Sequence, residues 1–127
     1  MLESTKTNRE KSTRRKGAEG EDLAEEYLIQ QGYEIIKRNF TFGKVGEIDI
    51  VAKDKNEIVF VEVKTKTKDE YGDPLDRITP QKQKKLKIVA KGYFYVNGIY
   101  EHDCRFDAIT IDLTHGKKEI NHIKYAL

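Results

Sequence analysis

Asp49, Glu62 and Lys64 are the residues whose types and spacing most directly indicate chemistry in this sequence. Glu62 and Lys64 flank one aliphatic residue, and alternate residues of a β-strand share a face, so their side chains would project together. Glu47 and Asp49 are related in the same way in the preceding aliphatic segment. Carboxylate oxygens suit Mg²⁺ or Mn²⁺, which leave coordination positions for water and phosphate. With a lysine to orient water or stabilise negative charge, this set would serve phosphodiester hydrolysis.

The two pairs converge only in one strand register. If residues 55–56 form the tip of an antiparallel hairpin, Asp49 lies opposite Glu62 and Glu47 lies opposite Lys64, all on one face. A slip of one residue would place the pairs on opposite faces. The metal-site hypothesis therefore depends on this register.

A purely structural interpretation of the same residues is also open. Glu62 and Lys64 would be solvent-facing charges on an edge strand, and Glu47 would form a cross-strand salt bridge with Lys64. Polar residues of a surface strand alternate along its length, whereas here they gather at one end of two aliphatic segments. Clustered carboxylates in such surroundings are costly unless a cation or a partner compensates them, so the pattern favours a site.

Hydrophobic periodicity and turn residues predict the element order αβββαβ. The predicted bounds are 17–31 for the first helix, 33–40, 47–52 and 58–64 for three strands, 80 onward for the second helix and 105–113 for the next strand, with a weaker strand pattern over 120–126. Thr79 is the expected N-cap of the second helix, with Pro80 at its first position. The chain is thus of the α/β class.

Length and composition indicate one domain. The chain has 127 residues, of which 37% are apolar and 36% charged, enough for one core. Residues 1–16 are rich in Lys and Arg and are expected to be a flexible basic tail, with residues 17–127 as the folded domain. The net charge of +2 is small, so attraction to a polyanion depends on where basic residues cluster.

Cysteine usage and hydropathy bear on location. Cys104 is the only cysteine, which excludes an internal disulfide and a cysteine-based zinc cluster and favours a reducing compartment. No apolar run has the length of a membrane span, and the first residues lack a signal-peptide pattern. We therefore expect a cytoplasmic protein without membrane association.

Basic residues concentrate in the second helix, where no acidic residue occurs between Arg77 and Lys91. Such a face would suit phosphates, although many lysine-rich helix faces are merely solvated. Lys82 lies one turn before Leu86 on the inward stripe and so could point at the site. Arg77, Lys82 and Lys85 are the expected nucleic-acid contacts.

Other polar residues have structural interpretations. Arg105 and Asp107 share a face of one strand and are expected to form an ion pair that supports the sheet. His102, His115 and His122 lack the spacing of a zinc site and are interpreted as incidental.

The segments Gly46–Asp49 and Val61–Lys64 resemble the acidic core of the PD-(D/E)XK superfamily of restriction-endonuclease-like enzymes. More closely, residues 17 to 113 are similar to the YraN family of predicted endonucleases. The matching positions are Gly17, Glu19, Ala24, Gly32, Asn39, Gly46–Asp49, Phe60–Lys64, Gly72, Lys82 and Arg105–Asp107. The proline that the superfamily usually has before the first aspartate is absent, since Ile48 stands there, a feature that the family match shares.

The resemblance implies a restriction-endonuclease-like fold in which a mixed central sheet is flanked by helices, with residues 17–127 as a nuclease-like domain. It further implies that Asp49 and Glu62 bind the metal, together with the Val63 carbonyl, and that Lys64 is the catalytic lysine. Glu47 would bind the metal directly, hold a group that binds the metal, or form an ion pair with Lys64.

Glu19 resembles the helix-one glutamate that Holliday junction resolvases of this fold add to the metal site. Its place on the flank of the apolar stripe permits that role. The alternative is an ordinary first-turn glutamate that the helix dipole favours.

The expected function is a Mg²⁺- or Mn²⁺-dependent endonuclease acting on DNA, with branched or damaged DNA as candidate substrates and a homodimer as a possible working form. A second hypothesis is a nucleic-acid-binding module of nuclease fold with little or no activity of its own. A third is a structural interaction domain.

Overall fold

The computed structural model describes residues 8–68, 72–100 and 102–127, in which helices and strands follow the order αβββαββ. The helices are α1 (Asn8–Gln30) and α2 (Pro80–Val96), and the strands are β1 (Glu34–Phe42), β2 (Gly46–Asp54), β3 (Glu57–Lys66), β4 (Cys104–Asp112) and β5 (Glu119–Ile123). Short 3-10 turns occupy Pro74–Arg77 and Thr114–Gly116. The predicted element order is confirmed, including the weakly indicated last strand.

The five strands form one mixed sheet in the order β1-β2-β3-β4-β5. Neighbouring strands are antiparallel except β3 and β4, which are parallel. A parallel pair needs a crossover connection, and here α2 lies in that connection. The predicted α/β class, with a mixed sheet flanked by helices, is confirmed.

The two helices cover opposite faces of the sheet, so the core has two halves. On one face, Leu86, Val89 and Ala90 of α2 pack with Phe60 and other side chains of the sheet. On the other, Ala24 and Leu28 of α1 pack in the cluster that holds the alternate residues of β3. β3 is aliphatic on both faces because both are covered, as expected for an interior strand.

Helix α1 begins at Asn8 in the structure, earlier than the predicted Gly17. Residues 8–16 of the expected basic tail are therefore helical in their backbone, and residues 1–7 lie outside the described residues. The helix ends at Gln30, and Gly32 follows with a φ of +90°, the left-handed conformation that glycine adopts without strain. The Tyr33 N–H then donates to the Leu28 carbonyl at 2.9 Å, which closes a Schellman motif.

Gly20 sets how closely α1 approaches the sheet. A Cβ at this position would collide with the side chain of Thr65 on β3. With Ala24 and Leu28, which are fully buried, Gly20 forms a row of residues four apart that faces the sheet. Residues adjacent to this row, including Glu21, are held at the edge of the helix–sheet interface.

The sheet opens into a fork between β2 and β3. Their antiparallel ladder runs from Asp54 opposite Glu57 to Ile50 opposite Val61, which is the register that the sequence predicts. Beyond Ile50, β2 stays paired with β1 as far as Gly46, while β3 stays paired with β4 as far as Lys66. The ends of β2 and β3 that carry the acidic residues therefore diverge into a cleft.

Among the described residues, no helix has both the length and the apolar character required to cross a bilayer.

Candidate metal centre

Asp49 lies at the point where the fork opens. Its Oδ2 accepts a hydrogen bond from the Val63 backbone N–H at 2.8 Å. The side chain thus serves a main-chain donor of β3 at the place where the β2–β3 ladder has ended. This contact fixes the Asp49 carboxylate inside the cleft.

Three carboxylates converge there from α1 and β2. Glu21, Glu47 and Asp49 each place an oxygen within 4.8 Å of the others. Hard oxygen donors at such mutual distances are the ligand type that Mg²⁺ and Mn²⁺ prefer.

Glu62 and Lys64 face the same cleft from β3. Lys64 Nζ lies 3.3 Å from Glu62 Oε1, and the two side chains are 21% and 14% exposed, respectively. Lys64 therefore pairs along its own strand, rather than across to Glu47 as the structural interpretation of the sequence proposed. Glu62 Oε2 is buried and has no hydrogen-bond partner among the residues that the structure describes.

The pKa values show that the carboxylates are undercompensated. Burial, followed by the negative charge of Glu62, raises the pKa of Asp49 to about 8. Burial also raises the pKa of Glu62, although the positive charge of the Lys64 ammonium opposes this shift. Burial and the charge of Glu21 raise the pKa of Glu47. A bound dication would supply the positive charge that these groups lack, so the residues present fit a metal ion.

Glu19 does not belong to this cluster. Its side chain is exposed, and Glu21 is the α1 glutamate that reaches Glu47 and Asp49. The expectation placed Glu19 on the flank of the apolar stripe, but the buried residues described in α1 are Gly20, Ala24 and Leu28, and Glu19 is exposed. Because Glu19 and Glu21 lie on opposite sides of the row formed by Gly20, Ala24 and Leu28, only Glu21 is near Glu47 and Asp49. We therefore replace Glu19 with Glu21 in the candidate site.

Arg38 on β1 holds Glu21 in place. Its Nη2 donates to Glu21 Oε2 at 3.0 Å, while Nη1 donates to Asp22 at 2.7 Å and lies 3.3 Å from Glu25. One guanidinium thus gathers three carboxylates of α1 against the sheet edge. Sequence reasoning missed Arg38, because nothing local connects it with residues of another element.

Asn39 bridges two of the clustered carboxylates. With its amide nitrogen turned toward them, it donates to Glu47 Oε1 at 2.8 Å and to both oxygens of Glu21 at 3.2 Å. Its φ of +54° is a left-handed conformation that asparagine tolerates better than most residues. The resemblance included Asn39 as a matching position but assigned it no role. The available signal was its place among the matching positions.

A cavity of about 170 Å³ adjoins the acidic cluster between the fork and α2. Glu47, Glu62 and Lys64 line one wall, and the exposed Lys82 and Lys85 of α2 border it. Its apolar lining comes from Val45, Ile78, Leu86 and Val89.

The remaining predicted site residues lie nearby with different contacts. Lys82 contributes positive charge that lowers the pKa of Glu62. Arg77 is exposed, and its Nη2 donates to the Thr65 carbonyl at 3.2 Å, at the end of β3. Val63 is buried with its N–H bound to Asp49, and its carbonyl as a metal ligand stays a prediction.

A second polar network lies toward the opposite end of the β2–β3 hairpin. Arg105 Nε donates to Asp107 Oδ1 at 3.1 Å, as the sequence predicted, and Arg105 Nη1 donates to Glu57 at 2.8 Å and Asp54 at 3.2 Å. His122 is not incidental, since its Nε2 lies 2.7 Å from Asp107 Oδ2. Asp107 is fully buried among these partners, so the network supports the sheet.

A mixed sheet that forks around clustered carboxylates, with a helix on each face, defines a restriction-endonuclease-like domain. The sequence model of the uncharacterised protein family UPF0102 matches residues 20–111. The chain belongs to this family, which is the YraN family of the restriction-endonuclease-like superfamily.

Similar proteins occur in several bacteria. A UPF0102 protein of Chlorobium phaeobacteroides is 43% identical over 103 residues, covering 81% of this chain and 80% of the relative. One from Clostridioides difficile is 39% identical over 115 residues, covering 91% and 98%. Among solved structures, Pyrococcus furiosus SfsA in complex with Ca²⁺ matches with a TM-score of 0.36 and 18% identity, over 88% of this chain and 63% of that chain.

Proposed function

We propose that this chain is an endonuclease that uses Mg²⁺ or Mn²⁺ to hydrolyse phosphodiester bonds in DNA, with branched or damaged DNA as the substrate class to test first. The observation that carries the proposal is Glu62 Oε2, which is buried beside Asp49 and has no hydrogen-bond partner in the described part of the chain. Burial and the negative charge of Glu62 also raise the pKa of Asp49 to about 8. Two buried carboxylates with so little compensating charge support a cation site at this position.

The residues have distinct roles in this proposal. Asp49 and Glu62 would hold the metal ion, and Glu47 and Glu21, whose carboxylates lie close to that of Asp49, would supply further oxygen ligands. When bound, the ion polarises the phosphoryl group and lowers the pKa of a coordinated water. Lys64 Nζ, which lies beside Glu62, would donate a hydrogen bond to the attacking water or to a phosphoryl oxygen as negative charge develops.

Basic residues bordering the cleft support a polyanionic substrate. Lys82 and Lys85 are exposed on α2 at the cavity, where their ammonium groups would meet the phosphates on either side of the scissile bond. The formation of a homodimer, expected from the sequence, stays a prediction.

The proposal is tested by incubating purified protein with linear, nicked, junction and single-stranded DNA, and with RNA, in Mg²⁺ or Mn²⁺. Cleavage of DNA that disappears in Glu62→Ala and Lys64→Ala, but persists in the exposed-residue control Glu19→Ala, is the expected result. Binding of DNA without metal-dependent cleavage would favour the binding module instead. Neither binding nor cleavage would favour an interaction domain.

A further inference from the structure

The cavity beside the acidic cluster has two chemically different sides. Toward the fork it meets Glu47, Glu62 and Lys64, and toward α2 it meets Leu86 and Val89, which are buried or nearly so. Its volume of about 170 Å³ far exceeds the roughly 10–15 Å³ that one water needs. The aliphatic side offers water no hydrogen bonds, so that side of the cavity is better suited to an apolar group than to solvent.

The charges around the cavity restrict which apolar group fits. Lys64, Lys82 and Lys85 line it against two carboxylates, of which Glu62 pairs with Lys64, and Lys82 and Lys85 are exposed at its border; these two lysines favour a ligand with negative charge next to its apolar part. The aliphatic wall is a poor place for the phosphate itself, because burying an anion without donors is costly. A nucleotide satisfies both conditions: its phosphate would lie at the lysines and the metal centre, and its sugar and base would lie against the aliphatic wall.

We infer that this cavity receives an unpaired nucleoside of the DNA strand whose phosphate lies at the metal centre. This inference rests on the proposed function and narrows its substrate class. A base within a duplex is stacked and paired, so it reaches a cavity in the protein wall only after leaving the stack, at a cost of a few kcal/mol. That cost is least where the base is mismatched, flanks a nick or belongs to a single strand. The substrate is therefore DNA with a nucleotide that is already unpaired.

Val45 offers a way to block the cavity without disturbing the core. It lies in the turn between β1 and β2, lines the cavity and is 36% exposed, so Val45→Phe adds volume at the mouth. Ile36 is a matched control, because it is 40% exposed on β1 at the end of the sheet away from the fork. Both variants are introduced together with Asp49→Asn, which removes a metal ligand to suppress cleavage but keeps an acceptor for the Val63 N–H.

The probe is DNA with 2-aminopurine as a mismatched base, since the fluorescence of this base rises when it leaves the stack. The single variant Asp49→Asn should raise the fluorescence severalfold on binding, Ile36→Phe should leave that rise unchanged, and Val45→Phe should reduce it by more than half. An undiminished rise in Val45→Phe, or no rise with bound DNA in the Asp49→Asn protein, would overturn the inference.

The fluorescence change is read independently of cleavage, which separates this inference from the proposed function. A rise that Val45→Phe abolishes, in a protein whose native sequence never cuts DNA, supports the cavity and contradicts the nuclease. Cleavage by the native sequence without any preference for mismatched or single-stranded DNA over intact duplex contradicts the cavity and supports the nuclease. Failure to bind any DNA contradicts both.

Discussion

The Asp49 carboxylate accepts a hydrogen bond from the Val63 N–H at 2.8 Å, just past the last paired residues of β2 and β3. The same side chain therefore stabilises the diverging ends of β2 and β3 and belongs to the candidate metal site. A backbone donor of β3 is satisfied by the same group that we assign to the metal, so stability and metal binding are coupled at this residue.

Two substitutions at Asp49 separate these roles. Asp49→Ala leaves the Val63 N–H without its acceptor, at a cost of about 1–3 kcal/mol, whereas Asp49→Asn retains an acceptor. Urea unfolding should therefore show Asp49→Ala to be the less stable of the two by about that amount. Both should lose metal-dependent cleavage. Equal stability of the two variants would contradict the structural role of this hydrogen bond.

Glu21 and Glu19 provide a direct comparison on one helix. Since Glu21 lies with Glu47 and Asp49 while Glu19 is exposed, Glu21→Ala should weaken Mn²⁺ binding by about 10–100-fold. Glu19→Ala should leave the affinity unchanged. Isothermal titration with Mn²⁺ measures both. The opposite ranking would restore Glu19 to the site and remove Glu21.

Asn39 is expected to act by positioning Glu21 and Glu47. Asn39→Gly keeps the backbone at positive φ without the amide donors, while Asn39→Ala loses the donors and also strains the backbone by about 1–2 kcal/mol. Both variants should bind Mn²⁺ more weakly than the native sequence, and Asn39→Ala should also be the less stable in urea. Native affinity in Asn39→Gly would show that the amide has no positioning role.

The Asp107 network predicts a pH dependence of stability. Burial by itself would raise the pKa of Asp107, but hydrogen bonds from His122 and Arg105, together with the Tyr125 N–H, hold it below its ordinary value of 3.8. A carboxyl whose pKa is lower in the folded state adds stability above its unfolded pKa, and that stability is lost as the pH falls through the folded value.

Asp107→Asn should therefore destabilise the protein at neutral pH and weaken the fall in stability below about pH 4. Unfolding by urea from pH 7 down to pH 3 measures both effects. An acid dependence identical to that of the native sequence would show that Asp107 is not a main source of the acid sensitivity.

The sequence was sufficient to predict the order of elements and the register of the β2–β3 hairpin. Alternating aliphatic residues and the turn at residues 55–56 are local signals, and the observed pairing of Ile50 with Val61 follows from them. The convergence of Asp49 and Glu62 on one cleft depends on that register, so it was within reach of sequence reasoning.

The fork and its supporting contacts were not predictable in the same way. The strands diverge on the N-terminal side of Ile50 because β2 there pairs with β1 and β3 pairs with β4. The local sequence pattern does not indicate these pairings. The choice of Glu21 over Glu19 depends on the close approach of Gly20 to Thr65. Arg38 and Asn39 act on residues of other elements, and the cavity forms only when α2 packs over the cleft.

The most direct test of the central claim is an anomalous difference map from a crystal of the native protein grown with Mn²⁺. We predict a peak in the fork, about 2 Å from carboxylate oxygens of Asp49 and Glu62. A map with no peak between these two residues at saturating Mn²⁺, or with the ion bound only elsewhere, would contradict the account.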